Sequence, residues 1–165
     1  DLPESVLEPA REWAKNPKGI MTFYGVPGAG KTFLALQIQA FLTPIPELVL
    51  PIRSRFMTER EYIKHKRDIV VGSVTWDICK KAYAPEVLIF DDLGECDNAT
   101  NFVIDAINEL ITSRERFQWP MLITTNLTLG QIQEKFGPRI ASRINGGQKI
   151  EFPARDLRHD GSLKC

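Results

Sequence analysis

The chain has 165 residues, enough for one domain with a real hydrophobic core, and its apolar and charged fractions are those of a soluble globular protein. Twenty-one Lys and Arg offset twenty-one Asp and Glu, so no whole-molecule field draws it to a polyanion and any basic surface must be local. Cys79, Cys96 and Cys165 are far apart, odd in number and without neighbouring histidines, which argues against a disulfide framework or a zinc site; with no signal peptide and no apolar run of about 18 residues, the expected setting is cytoplasmic, with no membrane partner.

The chain opens on Asp1 rather than Met, as a trimmed product would. Leu2 to Lys15 puts Val6, Leu7, Ala10, Trp13 and Ala14 on one helical face, and Asn16-Pro17-Lys18-Gly19 is turn chemistry that ends it. An apolar strand, Ile20 to Tyr24, then leads into Gly25-Val26-Pro27-Gly28-Ala29-Gly30-Lys31-Thr32, a G-x-x-x-x-G-K-[ST] phosphate loop, and a helical run, Phe33 to Leu42, leads out. Strand before and helix after are the context this motif needs. Gly25, Gly28 and Gly30 let the backbone N–H groups turn inward around an anion, and the helix beginning near Lys31 adds its positive dipole end. Lys31 suits the β- and γ-phosphates of ATP, and the Thr32 hydroxyl a place on Mg²⁺. The expected nucleotide-binding set is Gly25, Val26, Pro27, Gly28, Ala29, Gly30, Lys31, Thr32 and Phe33.

Thr43-Pro44-Ile45-Pro46 stops the helix, and Glu47 to Ile52 reads as a short strand, weakened by Pro51 toward an edge or a strand end. Arg53 to Arg67 is the one concentrated basic stretch, with Phe56, Tyr62 and His65 interleaved and a capping box, Thr58 with Glu61, that starts a helix near Glu59. Two readings stand side by side. Arg55, Arg60, Lys64 and Arg67 contact a nucleic-acid backbone with an aromatic available for stacking, or the run is a solvated helix face. Ile69 to Val74 is ambiguous, and Thr75 to Tyr83 reads as a helix with Cys79 on its apolar face.

Val87-Leu88-Ile89-Phe90 is a strand apolar on both faces, as in a parallel sheet, and it ends on Asp91-Asp92, where open α/β sheets place their ligands. Asp91 is the expected Mg²⁺ ligand, commonly through water, and Asp92 the group that polarises the attacking water. The alternative makes the pair an N-cap and first helical turn; the phosphate loop upstream weighs against it. Asn101 to Phe117 is a long amphipathic helix with Phe102, Ile104, Ala106, Ile107, Leu110 and Ile111 as its buried side, broken by Trp119-Pro120. Met121 to Thr125 is a further strand with Asn126 at its tip, aimed at the nucleotide if this strand neighbours that of Asp91. Thr128 caps a short helix to Phe136, Gly137-Pro138 follows, and Arg139 and Arg143 lie one helical turn apart, suited to the γ-phosphate of a neighbouring subunit or to surface ion pairs. Lys149 to Phe152 closes the fold as a strand.

From Trp13 to Arg158 the chain resembles the AAA+ ATPases of the DnaC/DnaI helicase-loader type, with the transposition helper IstB a close relative. The carriers are Trp13-Ala14-Lys15-Asn16-Pro17, the phosphate loop, Leu88-Ile89-Phe90-Asp91-Asp92-Leu93-Gly94, Ile123-Thr124-Thr125-Asn126-Leu127 and Gly137-Pro138-Arg139-Ile140-Ala141-Ser142-Arg143. The resemblance implies a single P-loop NTPase domain over residues 1–165, an α/β three-layer αβα sandwich on a mostly parallel five-stranded sheet, without a full helical lid. It makes Lys31 and Thr32 the Walker A pair, Asp91 and Asp92 the Walker B pair, Asn126 sensor 1 and Arg143 the arginine finger, so that Lys31, Asp92, Asn126 and Arg143 form the catalytic set. Arg114, Arg139 and Arg158 are further candidates for arginines acting across a subunit boundary or as sensor 2. Asp92 stands where most AAA+ proteins have Glu, which implies slow hydrolysis stimulated by assembly or DNA. The loaders carry an N-terminal helicase-binding module, and the expectation is that this chain lacks it.

The implied function is an ATP-driven switch that assembles into ATP-bridged oligomers and loads a replicative hexameric helicase onto single-stranded DNA. An IstB-like helper would take duplex DNA and a transposase instead. From another class, a small-molecule P-loop kinase is of similar size but leaves Asn126 and the Arg139/Arg143 pair without a role, and a nucleotide-dependent scaffold with little turnover is a further reading.

Overall fold

A computed structural model describes residues 2–42, 54–71, 87–96 and 99–157. The expected strand at Glu47 to Ile52, the segments Ile69 to Val74 (beyond residue 71) and Thr75 to Tyr83, Cys79, Cys165 and Arg158 lie outside the described residues.

Helix α1 (Glu4–Lys15) buries Val6, Ala10, Trp13 and Ala14, and the Trp13 indole donates to the Lys18 carbonyl at 2.9 Å, fixing the turn into β1 (Ile20–Tyr24). Helix α2 (Lys31–Leu42) follows the phosphate loop. Strand β2 (Ser54–Thr58) runs directly into α3 (Glu59–Val70), whose capping box forms as the Thr58/Glu61 spacing predicts. Then come β3 (Val87–Leu93), α4 (Asn101–Arg116), β4 (Met121–Thr125), α5 (Leu129–Phe136), α6 (Pro138–Gly146) and β5 (Gln148–Glu151).

The five strands form one wholly parallel sheet in the order β2-β3-β4-β1-β5. Alternate side chains feed two cores, as a sheet covered on both faces requires. Leu88, Phe90, Met121 and Ile123 pack with α3, α4, α5 and α6; Met21, Phe23, Ile89 and Leu122 pack with α1 and α2. The result is an αβα sandwich. Because β4 lies between β1 and β3, the tips of all three strands meet at the C-terminal edge of the sheet.

Three expectations are corrected here. β2 falls inside the basic stretch, so Arg55 is a strand residue paired with Leu88 and its Nε is buried. The buried stripe of α4 is Val103, Ala106, Ile107, Leu110, Ile111 and Arg114, while Phe102 and Ile104 are only partly buried; steps of three and four from Val103 run straight to Arg114. Tyr62 is wholly buried with its hydroxyl donating to Ala106 O at 3.1 Å, so it is not available to stack on a base, and the half-buried Phe56 packs against the core.

Candidate nucleotide site

The phosphate loop bends between β1 and α2 with Gly28 at a φ of 79° and Gly30 at 93°, a backbone region that side chains rarely enter. A Cβ on Gly28 would also strike the Asp156 carboxylate, and one on Gly30 would press on Leu157. The loop is strapped from outside by the segment after β5: Phe152 N donates to Tyr24 O at 2.8 Å and Leu157 N to Gly28 O at 2.9 Å. No local pattern near Asp156 signals this role, which depends on β5 lying beside β1.

Lys31 is 5 % exposed. Its ammonium donates to Gly25 O at 2.8 Å, Val26 O at 2.7 Å and Asn126 Oδ1 at 2.7 Å, so it points into the hollow of the loop. The Thr32 hydroxyl lies 3.0 Å and 3.2 Å from the two oxygens of Asp91, itself 3 % exposed. Lys31 and Asn126 therefore meet in one cleft, and Asp91 lies just behind it, bonded to Thr32 of its lining. That cleft, of about 250 Å³, is lined by Pro27, Gly28, Gly30, Lys31, Thr32, Phe33, Asp92 and Asn126.

Two threonines just before Asn126 tie the acidic strand to it. The Thr124 hydroxyl donates to Asp91 Oδ1 at 2.6 Å and accepts from the Asp92 amide at 2.9 Å, and the Thr125 hydroxyl donates to Leu93 O at 2.6 Å. Neither residue was among the expected site residues, although the polar Thr-Thr pair at the end of an otherwise apolar strand is a signal. The β3–β4 register shifts between Phe90 and Leu93, and Asp92 takes a left-handed φ of 57°, uncommon for a residue with a Cβ. Glu59, wholly buried at the start of α3, accepts from the Gly94 amide; burial pushes its carboxyl above the ordinary range, against the opposing pull of Gly94, Cys96 and Lys135.

Among the described residues no group of three His, Cys, Asp or Glu could hold a metal ion. A divalent cation here would draw on the Thr32 hydroxyl, the Asp91 carboxylate, water and nucleotide phosphate. That all-oxygen set fits magnesium, which keeps several waters and takes few carboxylates.

Of the arginines expected to act across a subunit boundary or as sensor 2, the three that are described, Arg114, Arg139 and Arg143, do not line the cleft. Arg143, on α6, pairs with Glu115 and lines a cavity with Lys18, Gly19 and Gln148, at the opposite end of the sheet, and Arg139 is exposed. Arg114 is 1 % exposed; its Nη2 donates to Pro120 O at 2.7 Å and its guanidinium lies 5.8 Å from the Trp119 ring centre. Its charge is thus used inside its own chain, because it continues the apolar stripe of α4. Arg60, Lys64 and Arg67 share an exposed face of α3, with Arg60 paired to Glu95 and Arg67 over Phe102. No described helix is long and apolar enough to cross a membrane.

Residues 21–148 match the family described as "ATPase family associated with various cellular activities (AAA)". No curated protein sequence matches the chain. Among solved structures it is similar to the DnaC helicase loader, with a TM-score of 0.75, 24% identity, and coverage of 89% of this chain and 88% of that one. It is also similar to DnaI, at 0.67, 19% identity, and 91% and 81% coverage, and to AMPPCP-bound DnaA from Aquifex aeolicus, at 0.72, 14% identity, and 88% and 44% coverage. At these identities the structures share the fold, while the family match covers more than half the chain and takes in the phosphate loop, the acidic strand and Asn126. The chain belongs to the AAA family of ATPases.

Proposed function

We propose that this chain is the ATPase domain of a helicase loader: it binds ATP with Mg²⁺, assembles through the bound nucleotide, and delivers a replicative hexameric helicase to single-stranded DNA. The observation that carries the reading is the convergence of Lys31, Thr32, Asp91, Asp92 and Asn126 on one cleft. The likeness to DnaC and DnaI, which runs over 88% and 81% of those two chains, supports the loader reading. Arg143 pairs with Glu115 at the far end of the sheet from its own cleft, so any phosphate it serves belongs to another subunit, which supports an oligomer.

In the chemistry, the Lys31 ammonium exchanges its carbonyl partners in the loop for the β- and γ-phosphate oxygens. Magnesium, when bound by Thr32 and Asp91, supplies charge neutralisation at the phosphates. Asp92 accepts the proton of the attacking water, Asn126 orients the γ-phosphate, and Arg143 from the adjacent subunit meets the charge that develops there. Asp92 is one methylene shorter than Glu, so its carboxylate reaches water less readily and turnover is slow until assembly or DNA closes the site. On DNA, the exposed face formed by Arg60, Lys64 and Arg67 contacts the backbone, without stacking on Tyr62.

The test is nucleotide-dependent binding to single- and double-stranded DNA, together with helicase deposition on a single-stranded circle. The loader reading expects ATP-dependent single-strand preference and deposition. Preference for duplex DNA with a transposase would select the transposition helper, and phosphate transfer to a small acceptor would replace both.

A further inference from the structure

We propose that Glu59 is the positioning residue for Asp92: its buried carboxylate accepts the Gly94 amide and holds the turn beyond β3 in the one backbone conformation that aims Asp92 into the phosphate cleft. The inference rests on the reading of Asp92 as the group that activates water.

Asp92 lines the cleft with a left-handed φ of 57°, and such a conformation persists only where its surroundings over-determine it. Bonds on both sides of the residue do so. Thr124 takes the Asp92 amide, Thr125 takes Leu93 O, and Glu95 N donates back to Asp92 O at 3.0 Å. Gly94, itself at a φ of 97°, is gripped at both ends: its amide donates to Glu59, and its carbonyl accepts from Lys135 at 2.7 Å.

The further partners of Glu59, Cys96 and the Lys135 charge, belong to the same turn and its support. Glu59 follows Thr58, whose backbone pairs with Asp91 across β2 and β3, yet it turns a fully buried carboxylate inward, with Oε1 lacking a well-formed hydrogen bond. A buried carboxylate with an incompletely satisfied oxygen is costly and is tolerated where its other contact has a use. Its use here is the turn that carries Asp92. Lys135, on the helix after Asn126, donates to the Gly94 carbonyl, so the clamp also ties the Asp92 turn to the element that follows Asn126.

The experiment compares wild type, Glu59→Ala, Glu59→Gln, Asp92→Asn and the double variant Glu59→Ala/Asp92→Asn, reading ATP affinity, kcat and hydrogen exchange of the Gly94 amide. Glu59→Ala should lower kcat about tenfold or more, change ATP affinity less than about threefold and expose the Gly94 amide. The double variant should be no slower than Asp92→Asn alone, since Glu59 acts through Asp92, whereas general destabilisation would add. Glu59→Gln keeps an acceptor for Gly94 and should stay within about threefold of wild type. Unchanged kcat in Glu59→Ala, additive losses, or a parallel loss of affinity would overturn the proposal. If the wild type shows no turnover, the ATPase reading is what fails, and Gly94 protection unaltered in Glu59→Ala would still refute the clamp.

Discussion

Asn126 Oδ1 accepts the Lys31 ammonium at 2.7 Å although 95 positions separate the two in sequence. The contact exists because β4 is inserted between β1 and β3, which sets the tip carrying Asn126 beside the phosphate loop. The two residues nevertheless have separable tasks. Lys31→Ala removes charge-assisted contacts to bound phosphate and should weaken ATP binding roughly 100-fold. Asn126→Ala should leave ATP affinity within about threefold but lower kcat by about 10². Fluorescent-nucleotide titration and single-turnover hydrolysis distinguish the two, and equal losses of affinity in both variants would merge the roles.

The difference between these residues is also the difference in how far the sequence discloses them. Gly25 to Thr32 and Val87 to Asp92 are local chemistry: a glycine bend between strand and helix, and four apolar residues ending on two carboxylates, each legible without the fold. Asn126 is an ordinary turn former until the strand order places it. Strand β2 was hidden because Ser54 to Thr58 lies in a stretch read for its charge, and its burial comes from pairing with β3, not from its own pattern. Glu59, Thr124 and Asp156 act through partners more than 30 residues away, or on a loop from the far end of the chain, and no periodicity encodes such contacts.

Arg143 should matter only between subunits. Its own cleft lies at the other end of the sheet, and within the chain it pairs with the half-exposed Glu115, a contact of the kind worth about 0–1 kcal/mol. Arg143→Ala should therefore bind ATP normally and lose roughly 10³ in turnover in assemblies. Mixing it with Lys31→Ala subunits, which keep Arg143 but cannot use their own site, should restore activity at the mixed boundary. Absence of recovery over a range of mixing ratios would remove Arg143 from the catalytic set.

Arg114 is predicted to be structural. Its guanidinium bridges the end of α4 to Pro120 O, the same carbonyl that accepts the Leu88 amide at 3.1 Å at the start of β3. Arg114→Ala leaves a cavity and strips a donor from that carbonyl, which should cost about 3 kcal/mol in chemical denaturation and lower Tm by about 10 °C. Arg114→Lys should recover little, because a single ammonium cannot span the carbonyl and the Trp119 face together. Normal stability with turnover lost only in assemblies would reverse this assignment.

Glu59 should leave a mark on stability against pH opposite in sign to most carboxylates. Burial raises its folded pKa above the ordinary 4.5, so across the interval between the two values the folded chain holds more protons than the unfolded one. Unfolding free energy contributed by this group is then greatest below that interval, falls as pH rises through it, and is constant above the folded value. Surface carboxylates titrate at the same time, so the quantity to measure is the urea midpoint of wild type minus that of Glu59→Gln at each pH. The difference should decline as pH rises from about 4.5 and then level off. A difference that stays flat would mean the Gly94 amide, the Cys96 contacts and the Lys135 charge together cancel the cost of burying Glu59, and a difference that grows with pH would mean they exceed it.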